Sequence, residues 1–131
     1  MSLTDEERND IVTYRYEKSD QAFDEAIKVE NLDMHNLATN RLYYALYYAA
    51  SATLISHGYV SHSHSGMLTM MHLHFVKSGI LTKEDGALLS RMFSLRQESD
   101  YEDFVEVSKR DIEELMPLVK ILIEKIKRLR K

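Results

Sequence analysis

Asn40-Arg41-Leu42-Tyr43-Tyr44-Ala45-Leu46-Tyr47-Tyr48-Ala49-Ala50 decides how this chain folds. Leu42, Ala45, Leu46, Ala49, Thr53 and Leu54 recur at helical spacing and form one ladder, while Tyr43, Tyr44, Tyr47 and Tyr48 cover the neighbouring faces. A helix apolar nearly all round must be surrounded, so this one is expected at the centre of a bundle. The alanines would let its partners approach closely. The pattern predicts a helix from about Met34 to His57, with Gly58 as a left-handed cap.

Working outward, the flanking segments are also helical in pattern. The chain has 131 residues with one proline and four glycines, and it lacks strong alternation of the strand type. An N-terminal helix is expected over Asp5 to Glu30, with Val12, Tyr16, Phe23, Ala26 and Ile27 as its apolar stripe. After a Ser/His loop, a third helix is expected from about His64 to Ser78, with Leu68, Met71 and Phe75 inward and Gly79 at its end. A fourth follows from Lys83 to about Arg96, on which Asp85, Leu89, Met92 and Arg96 share a face. The last begins after Ser108. Its Ile112, Leu115, Val119, Leu122, Ile126 and Leu129 alternate three and four apart, as in a coiled-coil seam. Pro117 predicts a kink or break near Glu113 to Met116, a bend and not a domain boundary. Thr4 with Glu7, Thr82 with Asp85, and Ser108 with Asp111 match the capping box. The expectation is an all-α, up-and-down bundle of about five helices, one domain over residues 1–131.

Composition narrows the function. The chain has no cysteine, so disulfides and thiolate metal sites are excluded and a reducing compartment is consistent. No apolar run approaches the length of a membrane span, and the acidic Met1 to Glu7 is unlike a signal peptide; a cytoplasmic protein without a membrane segment is expected. The net charge of -4 argues against nucleic-acid binding over the whole surface. It is unevenly placed: eight acids between Glu98 and Glu114 face only Lys109 and Arg110, whereas six basic residues between Leu118 and Lys131 face only Glu124. The basic end reads first as cations complementing a helix C-terminus.

Three constellations are candidate sites. Arg96, Asp100, Tyr101 and Asp103 could form a polar cluster where an arginine orients a phosphate and a tyrosine or acid handles a proton. The bland reading is an ionic knot that makes a partly buried arginine tolerable, and it is favoured because an unperturbed tyrosine titrates near 10,, too high for a base at neutral pH. Arg41 with Tyr44 and Tyr48 occupies one stripe of the central helix, an arrangement that can clamp a base or simply pack, with Glu17, Asp24 or the Asp100/Asp103 group as the partner of Arg41. Finally, His57, His62, His64, His72 and His74 fall within 18 residues. No Glu-x-x-His occurs, and His72 and His74 point to opposite sides of a helix, so neither metal nor cofactor is expected.

The Asn40 to Ala45 block, the Arg96 to Phe104 block and the turn His64-Ser65-Gly66 together resemble the HEPN domains of prokaryotes, in particular their small single-domain, UPF0332-like branch. The likeness extends from about Leu37 to Val107. It implies a helical bundle that forms homodimers, encoded beside a minimal nucleotidyltransferase in toxin-antitoxin or defence pairs. Many HEPN ribonucleases carry an arginine followed, after four to six residues, by a catalytic histidine. Arg96 matches the arginine; the histidine's place falls on Tyr101 or Asp103, and no histidine follows Arg96. The expected function is therefore a dimeric module that binds nucleotide, RNA or a nucleotidyltransferase without catalysis, through Arg41, Tyr44, His64, Arg96, Asp100 and Tyr101. A metal-independent ribonuclease using Arg96 with Tyr101 or Asp103 is the alternative, and a purely structural oligomerisation domain is the third reading.

Overall fold

The computed structural model describes residues 3–101 and 105–131. Helix α1 spans Asp5–Glu30, α2 His35–Ser56, α3 His64–Met71, α4 Lys83–Tyr101 and α5 Lys109–Lys127, and α3 runs on into a five-residue π turn, His72–Val76. The bundle is all-α, with no strand among the described residues. α2 is the hub, packing on α1, α3, α4 and α5. Its whole predicted ladder is buried, and one apolar cluster draws residues from every helix.

The ends form where local chemistry demands. Thr4, Ser63 and Ser108 each accept a hydrogen bond from the backbone N–H three residues on, and Thr82 and Asp85 cap each other reciprocally. α2 stops at a Schellman turn, in which Tyr59 N–H donates to the Leu54 carbonyl and Gly58 N–H to that of Ile55. Gly58 has φ 81°, which a side chain would resist.

Several expectations are corrected. Ile27 is exposed, and the stripe of α1 instead continues through Ser19, Ala22 and Ala26. These small side chains let α1 lie close along α2, close enough for the Ser19 hydroxyl to donate to the Ala45 carbonyl at 2.6 Å. The third helix widens into the π turn, which ends at Val76 before Ser78, and Leu68 is only half-buried while Met67 takes an inward place. There Gly86 of α4 leaves no room for a methyl group, which would sit 2.9 Å from His72 Cε1. Helix α5 is one unbroken element through Pro117. Pro117 and Glu113 both face solvent, so the carbonyl that loses its partner turns toward water.

The fourth helix continues to Tyr101, a turn beyond its expected end at Arg96. Nothing in Gln97 to Asp100 breaks a helix, and Arg96 offsets the unfavourable placement of Asp100 near a negative helix terminus. Between α4 and α5, Asn36 clamps the returning chain: its amide donates to the Val105 carbonyl at 3.0 Å and accepts from Val107 N–H at 2.8 Å.

Candidate functional site

The turns of α2 from Asn40 to Tyr48 face the end of α4 and the start of α3, and six of the candidate residues converge there. Tyr44 is the pivot. The Arg41 guanidinium lies 5.1 Å and that of Arg96 5.3 Å from its ring centre, and Arg96 Nη2 donates to its hydroxyl at 3.0 Å. Arg96 also lies 5.6 Å from the rings of Tyr43 and Tyr101. On the stripe that Arg41 shares with Tyr44 and Tyr48, the guanidinium stacks on Tyr44, and Tyr48 packs on Tyr44 and Tyr47.

Arg96 is nearly enclosed, with its side chain 13% exposed, and its Nε sits 2.9 Å from Asp100 Oδ2. The two close an i, i+4 pair on one helix. The contact is an ion pair without hydrogen-bond alignment, so this buried N–H has no directed acceptor among the described residues. Asp100 Oδ2 also accepts from the Asn40 amide at 2.9 Å, and the Asn40 carbonyl oxygen takes Nε and Nη2 of Arg41 at 3.0 and 2.8 Å. Asn40 thus joins the two arginines through one carboxylate. Sequence reasoning quoted Asn40 without giving it a role; its place four residues before Tyr44 was the available signal. Among the described residues the acid beside Arg41 is Glu25 at 3.6 Å, not Glu17, Asp24 or Asp100. Ala22 and Ala26 are the buried contacts of α1, which brings Glu25 to the edge of the interface and turns Asp24 outward.

His64 enters from the first turn of α3. Its Nδ1 lies 2.8 Å from the Tyr43 hydroxyl and its ring stacks on Tyr47 with 4.3 Å between centres. Tyr43 is fully buried, and its O–H finds no other acceptor among the described residues, so the tyrosine donates and His64 Nδ1 accepts. Burial raises the Tyr43 hydroxyl well above the usual tyrosine value, against a smaller opposing effect of Arg96, which keeps the proton on the oxygen. Burial and, secondarily, the positive field of Arg96 lower the proton affinity of His64. Its neutral form then carries the remaining proton on Nε2, as a donor. Tyr101 is largely exposed, and Asp103 lies outside the described residues.

Next to this cluster a groove of about 640 Å³ opens between α1, α2 and α4, lined by Glu25 and Lys28, by Asn36, Asn40 and Arg41, and by Asp100. Its charges balance. Among the described residues no group of three or more histidines and acids could hold a metal ion. Three other histidines pack: His57 Nε2 lies 2.6 Å from the Leu129 carbonyl, His72 Nε2 lies 3.1 Å from the Ser90 hydroxyl, and His74 stacks on Tyr59 with centres 3.7 Å apart, while His62 is exposed. Nor is any described helix long and apolar enough to cross a membrane.

A hub helix carrying Asn-Arg-x-Tyr-Tyr against an arginine near the end of α4 is the arrangement of a HEPN domain, and the HEPN domain model matches residues 12–129 of this chain. The chain belongs to the HEPN family. It is 33% identical over 130 residues to a UPF0332 protein of Thermotoga maritima, covering 93% of this chain and 98% of that one. It is 30% identical to a UPF0332 protein of Archaeoglobus fulgidus, over 90% of this chain and 94% of that one. A Methanocaldococcus jannaschii protein named "Putative toxin" is 27% identical, over 86% of this chain and 76% of its own.

Proposed function

We propose that this chain is the HEPN member of a toxin-antitoxin or defence pair, a cytoplasmic homodimer that binds nucleotide, RNA or a nucleotidyltransferase partner at the Arg41-Tyr44-Arg96 face without cleaving RNA. The toxin designation of one relative supports the class of system. The observation that carries the rest is the inventory of the cluster. It offers guanidinium N–H groups, half-buried ring faces and the Nε2 donor of His64, all suited to phosphates and bases. Among the described residues no free base accompanies them: Asp100 is committed to Arg96 and Asn40, and His64 Nδ1 to Tyr43.

The ribonuclease reading has one observation in its favour. Tyr43 links an arginine to a histidine that does not follow it in sequence: the Arg96 guanidinium lies 5.6 Å from the Tyr43 ring, and His64 Nδ1 lies 2.8 Å from the Tyr43 hydroxyl.

Labelled tRNA and mRNA, incubated with the protein and with Arg41→Ala and Arg96→Ala variants, separate the two. Retention of intact RNA by wild type, weakened in both variants, is the expected result. Cleavage by wild type that Arg96→Ala and His64→Ala abolish would replace the binding module by the nuclease. Light scattering at micromolar concentration tests the dimer, and a monomer there removes that part of the proposal.

A further inference from the structure

At the far end of α2 a second cavity of about 460 Å³ lies between the first turns of α1 and the Gly58 to Ser61 segment. Tyr44 and Ile55 are eleven residues apart, about 16 Å along the helix, so this cavity is separate from the arginine-tyrosine cluster. Arg8 and Arg15 project from α1 one heptad apart and enter it on the same face, with Ile11 between them. Leu54, Ile55 and Val60 supply apolar wall opposite.

The charge of this wall is one-sided. The groove beside Arg41 sets Glu25 and Asp100 against its cations, whereas among the described residues no aspartate or glutamate lines this cavity. Arg15 makes one hydrogen bond, from Nη1 to the Ser51 hydroxyl at 2.6 Å, and among the described residues no carboxylate stands within ion-pair distance of it. The remaining four N–H donors of its fork are uncommitted. Ser51 accepts from Arg15, which leaves its own proton available to donate into the same space. Arg8 is held only at 3.8 Å by Asp5, whose side chain is fully exposed.

We infer that this cavity binds an amphipathic anion, a carboxylate or phosphate monoester carrying an apolar body. The headgroup meets the Arg15 fork and the Ser51 hydroxyl, where a planar guanidinium and an O–H donor suit either oxyanion. Arg8 adds a second positive charge at the mouth. The body lies against Leu54, Ile55 and Val60, and a volume near 460 Å³ is that of a small-molecule site. A neutral alcohol of equal length would gain the apolar contacts alone.

Octanoate, octyl phosphate and octanol, each titrated into the full chain and followed by amide chemical shifts and calorimetry, test this directly. Saturable shifts centred on Arg15, Ser51, Ile55 and Gly58 are expected for the anions, with octanol at least about tenfold weaker, as for loss of a charge-assisted hydrogen bond. Whichever anion binds tighter distinguishes an acyl carboxylate from a phosphate ester. Arg15→Met retains the aliphatic stem and should lose about tenfold in octanoate affinity, with melting unchanged. Should that variant fold poorly, Arg8→Met provides the same reading with a smaller loss. Octanol binding as tightly as the anions, or octanoate affinity unaltered in a folded Arg15→Met protein, overturns the proposal, as does the absence of any shift at millimolar ligand.

Discussion

Arg96 Nε stands 2.9 Å from Asp100 Oδ2, and both residues belong to α4, a single helical turn apart. The pair is therefore formed as the helix forms, and tertiary packing then closes Tyr43, Tyr44 and Tyr101 around the guanidinium. An arginine so enclosed tolerates its charge only while its carboxylate stays.

Arg96→Ala should lower stability by about 2 kcal/mol, through loss of the ion pair, the Tyr44 hydrogen bond and the ring contacts together. Asp100→Ala should cost at least as much, because it leaves the guanidinium unmatched and strands the Asn40 amide. Urea denaturation of each single and of the double variant measures this. Double-variant loss smaller than the sum is expected for groups in contact, and unchanged midpoints for both singles would show a surface feature.

The lowered proton affinity of His64, caused first by burial and then by Arg96, makes a signed prediction. In the unfolded chain the ring takes up a proton near pH 6.5. Folded protein takes it up only at lower pH, so between those values the unfolded state holds more protons. Stability should rise with pH across that window and be fully present above about pH 6.5. A His64→Phe variant should lose that slope, as read from melting at pH 5 and pH 7. An NMR titration giving His64 an ordinary or raised value would contradict the lowered proton affinity.

Asp85 carries the same sign in a lower pH window. Burial by itself would raise its carboxyl, but the Thr82 N–H, Lys125 and the Thr82 hydroxyl outweigh that and hold it below the ordinary value of 3.8. Lys125 Nζ lies 3.1 and 3.0 Å from its two oxygens, tying α5 to the start of α4. This stability is present above the unfolded value and is lost as pH falls through the folded one. Asp85→Asn should destabilise by about 1 kcal/mol at pH 7, and the difference from wild type should shrink in acid. A constant difference from pH 7 to pH 2 would show that the carboxylate charge is not involved.

Three helices meet at Thr53. Its hydroxyl donates to the Ile126 carbonyl at 3.1 Å, so the Tyr16 hydroxyl, 2.6 Å away, is the donor of the other bond. Thr53→Val leaves a buried tyrosine hydroxyl without an acceptor and should cost about 2 kcal/mol, more than Tyr16→Phe, which removes a donor from a threonine still bonded to Ile126. Equal costs in denaturant melts would mean that the Tyr16 hydroxyl reaches water.

Much of the bundle could be read along the chain. The ladder from Leu42 to Leu54 and the seam from Ile112 to Ile126 are buried as their spacing requires, since an element that must bury a stripe writes that stripe into its own sequence. The caps at Thr4, Thr82 and Ser108 were legible for a similar reason, because each acts within a single turn. Ser19 escaped because its polarity hid a place in the stripe that a backbone acceptor, the Ala45 carbonyl, makes tolerable. The run-on of α4 escaped because the acids after Arg96 look like a terminus until one of them is seen to pair with it.

By itself, then, the sequence determined the helices and the hub, and it offered Arg41, Tyr44, His64, Arg96, Asp100 and Tyr101 as candidates. Only the tertiary structure decided what each of them touches. Adjacent residues on a helix differ by about 100° in direction, so a single step of phase chose Glu25 over Asp24 for Arg41. The chain likewise holds no record that Asn40 would bridge two arginines, or that Tyr43 would occupy the acceptor nitrogen of His64. Those relations belong to pairs of helices, and they exist only once α2 has been wrapped by its neighbours.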